Sequence, residues 1–397
     1  MGGPPAKVRG IARALARRGH KVTVLTTDMG APSDRDANDW QPATSAWGRE
    51  WENDGVNAIY LAAIAKYRAT TINRRLLDFC RQRVPEFDLV HIYGLYDLIG
   101  PVVARFCRRR GLPYIVESLG MFQPKVRSLR KKRLYHAVVG DSLLREAAVI
   151  IATSKTERAE LIEGGVPNEK IALRPNGLDL KDFEKLPLRG GLRSKLGIND
   201  SDRVVLFLGR LSFIKGLDNL VRAFIEISGK QGNVRLVIAG PDDGDGCLKA
   251  IQELARNVKL GDRVIISEAL YGDRKLEAFV DADLCVLPSR YESFGNAAAE
   301  AIAGGVPVLA TDACGIAPII SDRAGLVVTA TVAGLRDGLD ALLSNSLLLA
   351  KLRAGCARVA NELSWDRPVD LMEAIYESLA EKESVRRQER IARCGIA

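Results

Sequence analysis

Short apolar runs rich in β-branched residues recur along this chain, and most of them do not alternate with polar residues. They are "KVTVLTT" at 21–27, "DLVHIY" at 88–93, "PYIVES" at 113–118, "AVIIATS" at 148–154, "RVVLFLG" at 203–209, "VRLVIAG" at 234–240, "RVIIS" at 263–267, "DLCVLPS" at 283–289, "VPVLA" at 306–310 and "GLVV" at 325–328. A strand that is apolar on both faces needs cover on both faces, as parallel strands between helical layers have. Helical patterns such as 7–18, 217–228 and 246–257 fall between the runs, so the repeating unit is βαβ and the class is α/β. At 397 residues the chain exceeds what one core normally serves. The break falls in "RPNGLDLKDFEKLPLRGGLRSKLGIND" at 174–200, rich in Gly, Pro and charge, with a fresh strand after it. The expectation is two Rossmann-like domains facing a cleft, with ligands at the carboxyl ends of strands and over helix N-termini.

The amino end departs from that plan. "MGGPPAKVRGIARALARRGHKVTVLTT" opens on a glycine turn, Gly2-Gly3, and a helix, whereas a doubly wound domain ordinarily begins with a strand feeding such a turn. The first domain is therefore expected to lack its first strand, leaving the runs at 21–27 and 88–93 badly spaced or with unpaired backbone groups. An upstream start codon or a gene fragment would account for it. A loose first domain beside a compact 200–360 is the expected consequence.

No apolar run is long enough to span a bilayer and no secretory pattern is present, so a cytoplasmic protein is expected. The seven cysteines are scattered without metal-ligand spacing, which suits reduced thiols. A net charge of +9 points to an anionic ligand, an anionic membrane surface or nucleic acid. Basic residues cluster in "CRRRG" at 107–111 and "KVRSLRKKRLYH" at 125–136. They are read either as a solvated face or as peripheral contact with anionic lipid or a lipid-diphosphate acceptor at the inner face of the membrane. No aromatic platform or helix-turn-helix pattern accompanies them, so nucleic acid is not expected as a partner.

Two stretches carry chemistry. In "LFLGRLSFIKGLDNLVRAF" at 206–224, Arg210 follows a strand's carboxyl end and Lys215 precedes a helical run. A forked guanidinium and a point charge there suit a diphosphate, although alone the two would read as surface cations. In "SRYESFGNAAAEAIAGGVPVL" at 289–309, Glu292 precedes a small-residue helix near 295–303 and Glu300 lies within it. The N–H groups of Phe294, Gly295 and Asn296 at the helix start are free for anionic oxygens. Helical rise would separate the two carboxylates by about 12 Å, too far for an acid/base pair but suited to opposite ends of one long ligand with a diphosphate between. "VDADL" at 280–284 imitates a metal-binding DxD, but Asp281 and Asp283 are expected to flank a buried strand, and no metal site is expected. "GPDDGDG" at 240–246 reads as a polar turn, not a Ca²⁺ loop. Gly2-Gly3 lacks the dinucleotide-binding form.

"GRLSFIKG" at 209–216 and "PSRYESFGNAAAEAIAGGVPVLATDACG" at 288–315 resemble the retaining glycosyltransferases of the GT-B fold, family 4, also called glycosyl transferases group 1. "RPNGLD" at 174–179, "FDLVHIYG" at 87–94, "ARALARRGHKVTVLTT" at 12–27 and "SWDR" at 364–367 extend the resemblance over nearly the whole chain. It implies an acceptor-binding domain at 1–178, a nucleotide-sugar-binding domain at 179–363, and helices at 364–397 whose first part crosses back to the first domain. It implies a UDP- or GDP-linked donor, a saccharide or lipid-linked acceptor in cell-surface polysaccharide or glycolipid synthesis, retention, and neither metal nor cofactor. By position, Arg210 and Lys215 would neutralise the leaving diphosphate, Glu292 would lie at the transferred sugar, and Glu300 would bind the ribose. Phe294, Gly295, Asn296, Gly2 and Gly3 would complete the donor site. Two positions depart from the family. Leu119 stands where many members have a His near the donor sugar, and Glu268 replaces a Gly near the base. His91 is nearby by strand order and is a candidate acceptor or sugar contact. A nucleotide-sugar epimerase, or a degenerate chain that binds nucleotide without turnover, are the alternatives.

Overall fold

The computed structural model describes residues 3–29, 42–67, 70–122, 140–229, 232–257 and 263–394. They form two compact units, one joining residues 2–175 to 365–397 and the other holding 176–364. No described helix is long and apolar enough to cross a membrane.

The first unit opens with the helix Gly3–Arg17. Its strands are β1 (Val22–Thr27), β2 (Ala43–Thr44), β3 (Gly48–Asn53), β4 (Val56–Leu61), β5 (Ala63–Tyr67), β6 (Thr70–Asn73), β7 (Val90–Tyr93), β8 (Tyr114–Glu117), β9 (Val149–Ala152) and β10 (Ile171–Leu173). One four-stranded sheet runs β1-β4-β3-β2, another runs β10-β9-β8-β7, and β5 pairs with β6. The parallel expectation holds for β7–β10 and for β1 with β4, but β2, β3 and β4 are antiparallel neighbours. The cause is Asp54-Gly55, whose φ values of 52 and 75° form the tight turn between β3 and β4. "DG" is a strong hairpin signal that the search for uniformly apolar runs passes over.

The two four-stranded sheets share hydrophobic packing on both faces. Ile59 and Leu61 of β4 lie in one cluster with Ile92 and Val116, and Leu25 packs against it. On the other face Val22, Leu89 and Tyr93 pack against Ile11, Leu15, Trp365, Val369 and Met372. The last helix, Asp366–Cys394, thereby covers the first, and Arg18 adds ion pairs to Asp370 at 2.7 Å and Glu373 at 2.9 Å. Yet among the described residues β1 pairs only with β4, and β7 only with β8. Both are edges of their sheets among the described residues. All six β1 residues are only partly buried, while β8 is buried throughout.

This arrangement makes a measurable difference between neighbouring amides. Val90 and Gly94 donate to the β8 side, at 3.2 and 2.8 Å, so the intervening His91 and Tyr93 amides face away from β8. By the same alternation Thr23, Leu25 and Thr27 face away from β4. These five amides are expected to exchange hydrogen markedly faster than those of β8 and β9. Equal protection across the unit, read by NMR or mass spectrometry, would show that the edges are satisfied.

The second unit contains β11 (Arg203–Leu208), β12 (Val234–Ala239), β13 (Val264–Ser267), β14 (Leu284–Leu287), β15 (Val308–Thr311) and β16 (Gly325–Val328). They form one parallel sheet in the order β13-β12-β11-β14-β15-β16. Val204, Leu206 and Leu208 pack under Ala298, Ala301 and Ile302 of the helix Asn296–Ala303. Val205 and Phe207 pack on the opposite face with Leu220, Val221 and Phe224 of the helix Leu217–Ser228. Each such large side chain contributes about 1.5–3 kcal/mol by leaving water. Burial on both faces is why these strands read as apolar without alternation. The strand order reverses between β11 and β14, and in a doubly wound sheet that switch point opens a ligand crevice at the carboxyl ends.

Candidate active site

Both chemical motifs lie at this switch point. Arg210 follows β11, and the 3₁₀ turn Phe213–Lys215 sets Lys215 just before the helix Leu217–Ser228. Gly216 joins them with φ 67°, and a Cβ there would stand 2.0 Å from the Pro288 carbonyl oxygen. Only glycine lets this turn approach the end of β14 so closely. Arg290 locks the same approach from the other side. Its N–H donates to the Ile214 carbonyl at 2.9 Å, and its guanidinium forks onto Asp218 at 2.7 and 2.8 Å and reaches Asn219 at 2.9 Å. Burial pushes the Asp218 carboxyl up, but the forked bonds and the Arg290 charge outweigh it and hold the group below its usual range.

This brings Lys215 onto Glu292 as an ion pair, both side chains less than a fifth exposed. Glu292 sits on a loop, its N–H donating to Ala313 at 3.1 Å and its carbonyl accepting from Gly315 at 2.9 Å. The helix starts only at Asn296, after Gly295 with φ 119°. Helical rise therefore applies only from Asn296 to Glu300, about 6 Å, and the 12 Å separation expected from an unbroken helix does not apply. Glu300 pairs with Lys275 at 2.8 Å. The first N–H groups of the helix lack intrahelical acceptors, and Asn176 Nδ2 donates to Asn296 Oδ1 at 3.0 Å beside them. Arg210 lies more than half exposed and pairs with Asp243 at 2.7 Å.

The other candidates fall elsewhere. Asp281 accepts from the N–H groups of Gly190, Leu192 and Arg193 at 2.6–3.0 Å, and Asp283 from Val204 at 2.8 Å. Both carboxylates hold the start of the second unit together. Glu268 is an exposed partner of Arg274 at 2.8 Å. Leu119 has φ 54°, a left-handed conformation that costs a side-chain-bearing residue about 1–3 kcal/mol. His91 belongs to a buried network of the first unit, stacked on Tyr93 at 4.2 Å, with Nε2 3.7 Å from Glu117. Gly3 opens the first helix, and Gly2 lies outside the described residues. In the first basic cluster, Arg108 is tied to Glu146 at 2.6 Å and Ser142 at 2.7 Å, leaving Arg109 and Arg110 exposed. The second cluster, 125–136, lies outside the described residues. Sequence reasoning missed Asn176, Asp218, Asp243, Lys275 and Arg290. Four of them stand inside stretches already singled out, Asn176 in 174–179, Asp218 in 206–224, Asp243 in 240–246 and Arg290 in 289–309, and Lys275 lies outside them.

Comparison with known proteins gives the family and the fold. Residues 190–361 match the family Glycosyl transferases group 1, and residues 2–177 match the Glycosyl transferase 4-like domain. The D-inositol 3-phosphate glycosyltransferase 1 of Catenulispora acidiphila is 31% identical over 312 residues, covering 75% of this chain and 73% of its own. The sucrose-phosphate synthase of Thermosynechococcus elongatus superposes with a TM-score of 0.73 at 25% identity, covering 95% of this chain and 94% of its own. Anabaena HepE, solved with UDP-glucose, gives a TM-score of 0.71 at 17% identity, covering 97% and 96%. The fold is GT-B, and the chain belongs to the glycosyl transferases of group 1.

Proposed function

We propose that this glycosyltransferase moves a sugar from a UDP- or GDP-linked donor to a saccharide or lipid-linked acceptor, with retention and without a metal. The observation that carries this reading is the grouping of Arg210, Lys215, Glu292, Glu300 and the Asn296 helix start around one switch point. Lys215 and Arg210 face the diphosphate, the helix amides donate to its oxygens, Glu292 holds the sugar and Glu300 the ribose hydroxyls. As the glycosidic bond breaks, charge builds on the leaving phosphate, and cations already fixed there lower the barrier.

The test is nucleotide release from UDP- and GDP-sugars, with and without acceptors, D-inositol 3-phosphate among them. Release stimulated by an acceptor and insensitive to a chelator, with the product anomer matching the donor, is the expected result. Thermal stabilisation by nucleotides without release from any donor would favour the non-turnover reading, for which Leu119 in place of the family His is the motive. Glu300→Ala is expected to raise the donor KM about tenfold, the loss of one charge-assisted hydrogen bond. An unchanged KM would remove Glu300 from the ribose.

A further inference from the structure

The loop "GPDDGDG" at 240–246 joins β12 to the next helix, and sequence reading leaves it without a role. In the structure it belongs to the candidate site. Asp245 Oδ2 accepts from Ser212 Oγ at 2.7 Å and from the Phe213 N–H at 2.9 Å, which fastens the loop to the turn that carries Lys215. Leu211 N–H donates to Pro241 at 2.9 Å, and Asp243 N–H to Leu211 at 3.1 Å. So anchored, the loop lays the Asp243 carboxylate on the Arg210 guanidinium at 2.7 Å.

Each cation of the site thus has a carboxylate of its own: Arg210 has Asp243, Lys215 has Glu292, and Lys275 has Glu300. Glu292 and Glu300 have hydroxyl-rich parts of a nucleotide sugar to bind when the donor arrives. Asp243 has none, and a diphosphate arriving at Arg210 would meet it as a like charge.

We propose that Asp243 is a displaceable counter-ion, an internal competitor that holds Arg210 when no donor is bound and gives it up to the diphosphate. This rests on the donor-site reading above. The competitor lowers affinity for any anion that must displace it from Arg210, and leaves a neutral nucleoside, which has no charge to set against it, unaffected. It also keeps Arg210 oriented by an anchored loop, since Asp245 fixes the loop independently of Asp243.

Titration calorimetry on the full chain tests it, with UDP, GDP and ADP as probes and the corresponding nucleosides as controls. Asp243→Asn is expected to bind the preferred nucleoside diphosphate about two- to fivefold tighter, the worth of a partly exposed ion pair. It should leave nucleoside affinity unchanged. The gain should shrink at high salt, which already weakens the pair, and Asp243→Glu should return affinity to the wild-type value. A merely structural role would instead weaken every ligand. Unchanged or weaker diphosphate binding by Asp243→Asn overturns the proposal. Failure of the wild-type chain to bind any of the three diphosphates overturns the donor-site reading itself.

Discussion

Replacing Lys215 with Ala is expected to lower kcat about a hundredfold or more while the chain stays folded. Lys215 is the cation most firmly built into the site. Its backbone is pinned by the Gly216–Pro288 approach, which tolerates no Cβ, and by the Arg290 fork across to Asp218. Its side chain is less than a fifth exposed, so its charge acts in a poorly screened place. A cation already in position when the leaving phosphate gains charge needs no reorganisation, which is why its loss falls on kcat more than on KM. Arg210, more than half exposed, should matter less. The pair with Glu292 supplies a control. Lys215→Ala leaves that carboxylate beside the diphosphate, whereas Lys215→Ala with Glu292→Gln removes the repulsion and should recover part of the donor affinity but not the rate. A kcat for Lys215→Ala within about threefold of wild type, measured with circular dichroism unchanged, would take Lys215 out of the chemistry.

Much of this site was legible because its parts are local. Arg210, Lys215, Glu292 and Glu300 stand at strand and helix ends, and the runs that form β11 and β14 announce those ends through burial on both faces. What pairs with what was not legible, because it depends on the sheet order. β11 and β14 become neighbours only when the order reverses, and this brings Lys215 onto Glu292 across 77 positions. Asp243 reaches Arg210 and Lys275 reaches Glu300 in the same way, from loops and helices with no periodic signal. The first unit was less legible. Its antiparallel strands β2 to β6 alternate or are short, so a search for uniformly apolar runs could not see them. The strands β1 and β7 themselves were legible as apolar runs, but that each would end its sheet depends on the pairing order.

Of the network around Glu117 the sequence reading singled out only His91, as a candidate sugar contact, and the network carries the largest expected effect on stability. Glu117 ends β8 with a fully buried side chain. One carboxylate oxygen pairs with Lys7 of the first helix and the other with Arg174 after β10, both cations themselves buried. His91 Nε2 lies 3.7 Å away, and Arg174 stands 5.8 Å over the Trp365 ring, which ties in the start of the last helix. One carboxylate thus holds together a helix, the sheet and the returning chain. Burial first, and then the Arg174 charge, drives the Lys7 amine well below its usual pKa, and burial with both cations does the same to His91. Glu117→Ala would leave two cations in the interior without their counter-ion, a loss of about 3–5 kcal/mol. That is comparable with the whole net stability of a small domain. Denaturant unfolding of the full chain should therefore show an early transition for the first unit, while the transition of the second unit keeps its midpoint. Acid should act in the same direction. With His91 below its ordinary 6.5 in the folded unit, the unfolded chain takes up a proton that the folded one refuses. Stability then falls as pH drops below about 6.5, by up to about 1.4 kcal/mol per unit of pH for this one group. His91→Phe, which keeps the stacked ring and cannot charge, should flatten that slope. A Glu117→Ala variant that unfolds at the wild-type denaturant midpoint would show that the two cations find water or other partners, and that this carboxylate does not hold the unit together.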